Sequence, residues 1–269
     1  MTVTPPREDT ATAGLSASDL RRAMPVTAPL YGEPPFYYRG SQTMMIAYRT
    51  RADALGRHLP PGLRPLGDEP IVTAMISDYR FSTFGPYREC GFLAEVELTD
   101  DEGTKRRGIY VPYIYVTSEP PLAGGRELWG YSKKLAHIEM GQEADVVWAT
   151  LSRPEPVRLL TAVLKIDRPA EPAEFEDVPV FSLRVIPSTD PGRYPTDVAQ
   201  LVETRFPVTP RTAPDGMTEA WFGTTASIAF DVPTAVDPVH TLPVLDVLGG
   251  YYGTFDAVLH PGQIVRTYT

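Results

Sequence analysis

The sequence predicts a single, mostly-β domain, built as a barrel or as a pair of packed sheets. The first observation is proline: the chain has 29 prolines in 269 residues, about twice the usual ~5%, and proline breaks helix interiors. The second is a series of short apolar or alternating segments separated by turn residues. The third is the lack of any linker, repeat or low-complexity tract. A helical bundle is therefore excluded, and only a few short helices are expected.

The hydrophobic pattern places the elements in chain order. Thr50 and Asp53 resemble a capping box, so a helix is expected at residues 51–59. Residues 244–253, which contain a glycine pair, are interpreted as a short helix or turn. Strands are predicted at residues 44–49, 71–79, 93–98, 108–116, 145–151, 157–166, 181–187, 198–206, 220–230 and 255–259.

The N-terminal residues 1–24 are polar and contain prolines, so a loosely ordered segment is expected ahead of a single domain at residues 25–269. A short helix that begins after Ser18 and ends at Pro25 is also expected. The N-terminus lacks the apolar core of a signal peptide. No run approaches the ~18 apolar residues that span a bilayer. We therefore expect a cytoplasmic protein.

Composition excludes several classes of protein. Lys and Arg number 25 and Asp and Glu number 34, so the net charge is −9. Without a basic excess, neither nucleic acid nor an anionic membrane is an expected partner. Cys90 is the only cysteine, which excludes an intrachain disulfide and a cysteine-cluster metal site. The four histidines are scattered without ligand spacing, so no metal site is expected.

Two adjacent lysines, Lys133 and Lys134, lie in aromatic and apolar surroundings. A buried ammonium is costly unless it is paired or neutralised, and a lysine that has lost its proton is a nucleophile for carbonyl carbons. Lys133 is therefore a candidate nucleophile, and the alternative is that both lysines are solvated ends of a strand. On a strand the two side chains would point to opposite faces. Burial beside Trp129 and Tyr131, more than the neighbouring charge, is then expected to favour the free amine.

The motif Gly125-Arg126-Glu127, followed after a short gap by Lys133-Lys134-Leu135, resembles the acetoacetate decarboxylase family. The resemblance implies an α+β fold around an antiparallel β barrel or cone-like sheet, a homo-oligomer, and an imine mechanism without a metal or organic cofactor. By motif position it implies Lys133 as the Schiff-base lysine, Lys134 as its neighbour and Glu89 as the acidic group. The family is itself the standard example of an activated lysine. Further segments match in the same order, from about residue 25 to the C-terminus: residues 46–50, 53–55, 87–91, 183–187 and 219–221.

The sequence departs from the family pattern in positions that surround the substrate's acid end. Family decarboxylases place an arginine where this chain has Ser41, and a second glutamate where it has Ile71. Arg39 lies close by and is a candidate replacement, although Arg and Ser are not interchangeable as carboxylate partners. Ser132 stands where the family usually has proline. These changes preserve the imine chemistry and alter what surrounds the substrate.

Four residues are candidate substrate contacts: Tyr251, Tyr252, Trp129 and Arg39. A tyrosine phenol can donate a proton or hold a carbonyl, and the alternative for the tyrosine pair is two aromatic core residues. Glu89 is the candidate for proton transfer. Its alternative is a surface carboxylate beside Arg88.

Three functions remain open from the sequence. The first is decarboxylation of a β-keto acid through an imine at Lys133. The second keeps the imine but changes the reaction to aldol condensation, dehydration or cyclisation of a keto acid, because the lysine alone does not choose among these reactions. The third is a non-catalytic protein that binds a small ketone. A small keto acid or ketone is the expected partner in each case.

Overall fold

Two β-sheets form the fold of residues 15–16 and 23–268, the part of the chain that the computed structural model describes. The helices are α1 (Ala52–Gly56) and α2 (Glu119–Gly124), and α2 continues into one π-helical turn at Gly125–Trp129. Short 3-10 turns lie at Pro172–Glu174 and Val239–Thr241. Among the described residues no helix is long and apolar enough to cross a bilayer. The strands are β1 (Phe36–Arg49), β2 (Leu63–Pro65), β3 (Ile71–Tyr79), β4 (Phe81–Ser82), β5 (Tyr87–Thr99), β6 (Lys105–Val116), β7 (Lys133–Leu135), β8 (His137–Glu143), β9 (Val146–Ser152), β10 (Arg158–Lys165), β11 (Arg168–Pro169), β12 (Val180–Pro187), β13 (Thr196–Thr204), β14 (Val208–Pro210), β15 (Ala220–Gly223), β16 (Thr225–Phe230), β17 (Asp246–Leu259) and β18 (Gln263–Thr267).

The larger sheet has 14 strands, and its main path runs β11-β15-β17-β1-β3-β5-β6-β12-β13-β18. Strands β14, β2, β4 and β7 attach beside this path, and a smaller sheet has the order β16-β10-β9-β8. Pairing is antiparallel except where β6 meets β7 and β12. This confirms the predicted α+β class with mostly antiparallel strands. In the described part of the chain the main path has two ends, at β11 and β18, so the larger sheet does not close into a barrel.

The central strands of the larger sheet are buried on both faces. Alternate residues of a strand point to opposite faces. One set packs with residues of the smaller sheet into the main core, and the other set lines a cavity. The core set includes Met44, Ile46, Val72, Ala74 and Phe92, and the cavity set includes Met45, Ala47, Thr73, Met75 and Leu93. The sheet therefore separates the core from the cavity.

Strand β17 replaces the helix or turn predicted at residues 244–253, so that prediction is wrong. Gly249 has φ of +108° and lies at a shift of register opposite β1, where the strand makes a β-bulge. Gly250 packs against the neighbouring backbone, because a Cβ there would lie 2.4 Å from the Met45 carbonyl oxygen. The glycines resemble turn residues in the sequence, but the fold uses them for a bulge and a close approach of strands.

The other differences from the sequence prediction are smaller. The strand predicted at residues 220–230 is interrupted at Thr224, and its halves join different sheets. The helix predicted at residues 51–59 is present but ends at Gly56. The strand predicted at residues 71–79 is confirmed with the same bounds, and the other predicted strands are confirmed with shifted bounds. Most of the predicted N-terminal segment, including the helix after Ser18, lies outside the described residues.

The close approach at Gly250 gives a test of the bulged strand. Gly250→Ala is expected to lower the free energy of unfolding by about 1–3 kcal/mol, because the new methyl group overlaps the β1 backbone. Gly32→Ala is the matched control, since nothing lies within 4 Å of a Cβ at Gly32, and it is expected to change stability by less than ~0.5 kcal/mol. Urea denaturation measures both, and equal stabilities of the two variants would contradict this packing.

Candidate active site

Lys133 reaches into a cavity of about 280 Å³ on the second face of the larger sheet. It is the first residue of β7, which pairs in parallel with β6 so that Lys133 lies beside Ile114. The side chain is only 5% exposed. Among the described residues that line the cavity, Lys133 is the only cationic side chain. The surface alternative for this lysine is therefore excluded, and an ammonium at this position requires a partner.

Glu89 is that partner. The distance from Lys133 Nζ to Glu89 Oε2 is 2.7 Å, and both side chains are buried. Strands β5 and β7 flank β6, so the lysine crosses β6 to reach the carboxylate. The Tyr79 hydroxyl donates to Glu89 Oε1 at 3.3 Å. Glu89 is thus not a surface carboxylate beside Arg88, whose guanidinium donates instead to the Ile138 carbonyl.

Four buried tyrosines surround the ion pair: Tyr38, Tyr79, Tyr87 and Tyr131. Lys133 Nζ lies 5.7 Å from the Tyr87 ring centroid and 5.9 Å from that of Tyr131, within the range of cation–π attraction. Burial raises the pKa of each phenol above its usual range, and the nearby Glu89 charge raises it further. The four hydroxyls therefore stay protonated: Tyr79 donates to Glu89, Tyr87 donates to Tyr38 at 3.4 Å, and Tyr131 shares a hydrogen bond of 2.7 Å with Thr204.

Lys134 points to the opposite face of β7, as expected for successive strand residues. Its Nζ lies 2.9 Å from Asp237 Oδ1. This buried aspartate also accepts hydrogen bonds from Arg153 at 3.2 Å and from the Tyr115 hydroxyl at 3.3 Å. The structure therefore places Lys134 in a separate ion cluster, outside the cavity and away from the Lys133 ammonium. Lys134, which the sequence predicted to be catalytic, does not line the cavity.

The π-helical turn at Gly125–Trp129 makes room for the Lys133 side chain. A Cβ on Gly125 would lie 2.6 Å from Lys133 Cδ and 2.8 Å from Cε, so the glycine lets the lysine stem pass. Arg126 Nη1 donates to the Lys133 backbone carbonyl at 3.3 Å. Two parts of the sequence motif thus hold the lysine in place. Sequence reasoning recognised the motif without assigning this steric role.

The tyrosine pair divides between the two faces of β17. Tyr251 lines the cavity, and its hydroxyl donates to Glu174 Oε1 at 3.3 Å. Tyr252 belongs to the main core, as the alternative reading of the pair allowed. The prediction that both contact substrate needs correction, because adjacent strand residues cannot face the same cavity.

The other two predicted substrate contacts lie elsewhere. Trp129 is buried against Phe36 and donates from Nε1 to the His260 carbonyl at 3.1 Å, without lining the cavity. Arg39 is exposed, with its guanidinium 5.5 Å from the Tyr37 ring centroid, so it does not replace the arginine missing at Ser41. Arg39 follows Tyr38 and Trp129 precedes Tyr131, and both of these tyrosines line the cavity, but the side chains of Arg39 and Trp129 do not.

Sequence reasoning missed the segment that lines the cavity beyond Tyr251. Glu174, Phe175 and Glu176 line it there. Arg168 donates to both carboxylate oxygens of Glu174, at 3.1 and 2.7 Å, and this hydrogen bonding holds the pKa of Glu174 at about 2. The segment is proline-rich and lacks hydrophobic periodicity. No pattern in it pointed to the cavity.

The fold and site define a class of protein: an α+β chain with one buried lysine–glutamate pair inside an apolar cavity. The family model for acetoacetate decarboxylase matches residues 23–269. The chain therefore belongs to the acetoacetate decarboxylase family and is an acetoacetate decarboxylase-like enzyme.

Individual relatives agree with this assignment. Acetoacetate decarboxylase 3 of Mesorhizobium japonicum is 32% identical over 254 residues, covering 91% of each chain. The acetoacetate decarboxylase of Burkholderia multivorans is 32% identical over 262 residues, covering 94% of this chain and 99% of the relative. The crystal structure of acetoacetate decarboxylase from Legionella pneumophila superposes with a TM-score of 0.78 at 28% identity, covering 96% and 99% of the two chains. The enduracididine biosynthesis enzyme MppR, at 21% identity and a TM-score of 0.73, shares the fold.

The gap at Gly125 predicts a selective loss of lysine reactivity. Gly125→Ala is expected to slow formation of a ketone adduct on Lys133 by about tenfold to a hundredfold, because the methyl group displaces the lysine stem and misplaced groups react poorly. Gly56→Ala is the matched control, since a Cβ there meets only Pro65 Cγ at 4.0 Å. Borohydride trapping followed by mass spectrometry measures the adduct. A wild-type trapping rate in folded Gly125→Ala would contradict the steric role.

The buried tyrosines predict loss of stability at alkaline pH. Their folded-state pKa lies above the unfolded value of 10.0, so the folded state holds its protons more tightly than the unfolded state. Their contribution is complete below pH 10.0 and is lost as pH rises above it. Guanidinium unfolding between about pH 8 and 11 is expected to show this decline.

Tyr48 provides the control for the alkaline effect, because it lies in the core away from the cavity. Its hydroxyl is buried without a hydrogen-bond partner in the described part of the chain, so Tyr48→Phe is expected to cost no stability at neutral pH. Above pH 10 this variant should lose stability less steeply, by up to about 1.4 kcal/mol per pH unit. Phenolate absorbance of the buried tyrosines appearing in a still-folded protein near pH 10 would contradict the prediction.

Proposed function

We propose that the protein is a lyase that decarboxylates a β-keto acid through an imine at Lys133. The observation that carries the proposal is the ion pair between Lys133 and Glu89, buried at 2.7 Å in an apolar cavity. Family membership supports the same chemistry. A lysine nucleophile beside a proton acceptor, with water excluded, is what imine formation needs.

The reaction follows from the position of the pair. Glu89 is close enough to take a proton from the Lys133 ammonium, which leaves a free amine to attack the ketone carbon. Glu89 gives this proton back to the departing hydroxyl, so that loss of water leaves a protonated imine. The bond from the substrate's α-carbon to its carboxyl carbon then breaks, its electron pair moves into the imine, and carbon dioxide leaves an enamine. A proton taken up from solvent by Glu89 goes to the enamine carbon, and attack of water on the resulting imine releases the methyl ketone and the Lys133 ammonium.

The walls of the cavity favour the step that loses carbon dioxide. A carboxylate is poorly stabilised among apolar side chains. As the carbon–carbon bond breaks, the negative charge of the substrate carboxylate spreads toward the imine. The apolar surroundings therefore destabilise the bound acid more than they destabilise the transition state. Among the described lining residues no arginine holds the carboxylate in place.

The missing arginine also supports a second candidate function. The position expected to carry it is Ser41, which is buried at 3% exposure. A keto acid whose carboxylate is not bound by an arginine can also react by aldol addition or dehydration through the same imine. Carbon dioxide release from β-keto acids separates the two, because only decarboxylation releases it. A protein that forms no adduct would leave only a ketone-binding role.

The two lysines give the direct test. Lys133→Met is expected to abolish the borohydride-trapped ketone adduct and carbon dioxide release. Glu89→Gln is expected to lower turnover by about 10²-fold, in the range of lost proton-transfer catalysis. Lys134→Met is the matched control and should retain the adduct, because its ammonium faces Asp237. Peptide mass analysis locates the adduct. An adduct lost as completely in Lys134→Met as in Lys133→Met would overturn the assignment.

The setting of the enzyme is proposed from the sequence. A homo-oligomer, a cytoplasmic location, and a small keto acid as the partner in place of nucleic acid or membrane all remain predictions. Sedimentation of the purified protein measures the first of them.

A further inference from the structure

The cavity extends well beyond the ion pair. A row of neighbouring residues in register crosses the sheet from β17 to β7, and adjacent strands lie ~4.8 Å apart. The row therefore runs about 24 Å along the sheet from backbone to backbone. The Lys133 amine reaches Glu89 on β5, so it lies three strand spacings, about 14 Å, from Tyr251 at the far end. The members of the row are Tyr251, Met45, Met75, Gly91, Ile114 and Lys133.

The far end offers apolar surface and no available cation. The Phe175 and Tyr251 rings pack there with centroids 5.1 Å apart. Arg168 is the nearby cation, but both of its terminal nitrogens donate to Glu174. Glu174 is ionised, because its pKa is held at about 2. A second carboxylate on the substrate would meet like charge here, whereas an apolar group would not.

The volume of the cavity exceeds what acetoacetate needs. A cavity of about 150 Å³ accommodates benzene, a molecule similar in size to acetoacetate. The cavity here is about 280 Å³. Acetoacetate carries only a methyl group on its ketone carbon, so with its carbonyl at Lys133 it would leave the side toward Met45 empty. Empty apolar space contributes nothing to binding.

We infer that the substrate is a β-keto acid whose ketone carries an apolar substituent longer than methyl, a medium-length alkyl chain or an aryl group. The inference rests on the proposed function, which supplies the imine at Lys133. The substituent lies along Met75 and Met45 toward Tyr251. The carboxylate stays at the Lys133 end, beside the only cationic side chain among the described lining residues.

A chain-length series tests the inference. Carbon dioxide release is measured with acetoacetate, 3-oxohexanoate and 3-oxooctanoate. Each buried methylene group is worth about fourfold in binding, so kcat/KM is expected to rise at least tenfold from the shortest to the longest acid. A kcat/KM that stays level or falls with length would overturn the inference.

A change in the cavity wall localises the effect. Ala47 lines the cavity on the same face of β1 as Met45, and Ala47→Leu fills part of the far end. The ratio of kcat/KM for 3-oxooctanoate over acetoacetate is expected to fall at least tenfold. This ratio does not depend on how much of the variant folds. Ala229→Leu, on an exposed position of β16 outside the cavity, is the matched control and should keep the wild-type ratio. An unchanged ratio in Ala47→Leu would contradict the placement of the substituent.

Ketone binding separates this inference from the proposed function. Calorimetry with 2-butanone, 2-hexanone and 2-octanone measures length preference without turnover. Tighter binding with length but no carbon dioxide or Lys133 adduct would reject the proposed lyase and keep the apolar ligand class. Carbon dioxide release with no length preference in either assay would keep the lyase and reject the inference.

Discussion

The rest of the site depends on one buried ion pair, Lys133 with Glu89. Removing two charges from water costs several kcal/mol per ion, which only close contact and further hydrogen bonds offset. The pair meets this demand with a 2.7 Å contact and a hydrogen bond from Tyr79. It also requires space for the lysine stem, which the missing side chain of Gly125 provides. Gly125 in the sequence motif therefore meets a packing requirement, the space for the Lys133 stem, while Lys133 supplies the charged group.

The pair is possible because the larger sheet is buried on both faces. Alternation along β7 sends Lys133 into the cavity and Lys134 to Asp237 on the other side. The same alternation sends Tyr251 to the cavity and Tyr252 to the core. Side-chain direction on a strand thus decides which residues meet substrate. Closeness in sequence does not decide it.

The difference between closeness in sequence and side-chain direction explains which parts of the fold and site could be predicted from the sequence. Segments such as β3 and β6 were predictable, because short runs rich in β-branched and aromatic residues between turn residues favour strands. β17 was not, because Gly249 and Gly250 serve a bulge and a strand contact that only the neighbouring strands reveal. The motif located Lys133 and Glu89, which the fold brings together. Arg39 failed as a predicted contact because its strand turns it outward.

Among the described residues that line the cavity, one side chain is positive, so charge favours one orientation of an acid bound there. That side chain is Lys133, at the end of the cavity that holds the ion pair. In the proposed reaction its charge persists when the amine becomes a protonated imine, and it is neutralised when the electron pair of the breaking bond arrives. The opposite end has the Glu174 carboxylate and the Phe175 ring, a lining that suits a hydrocarbon group better than a second carboxylate. In the proposed function one buried cation therefore sets both the reacting end of the substrate and the direction in which its remainder extends.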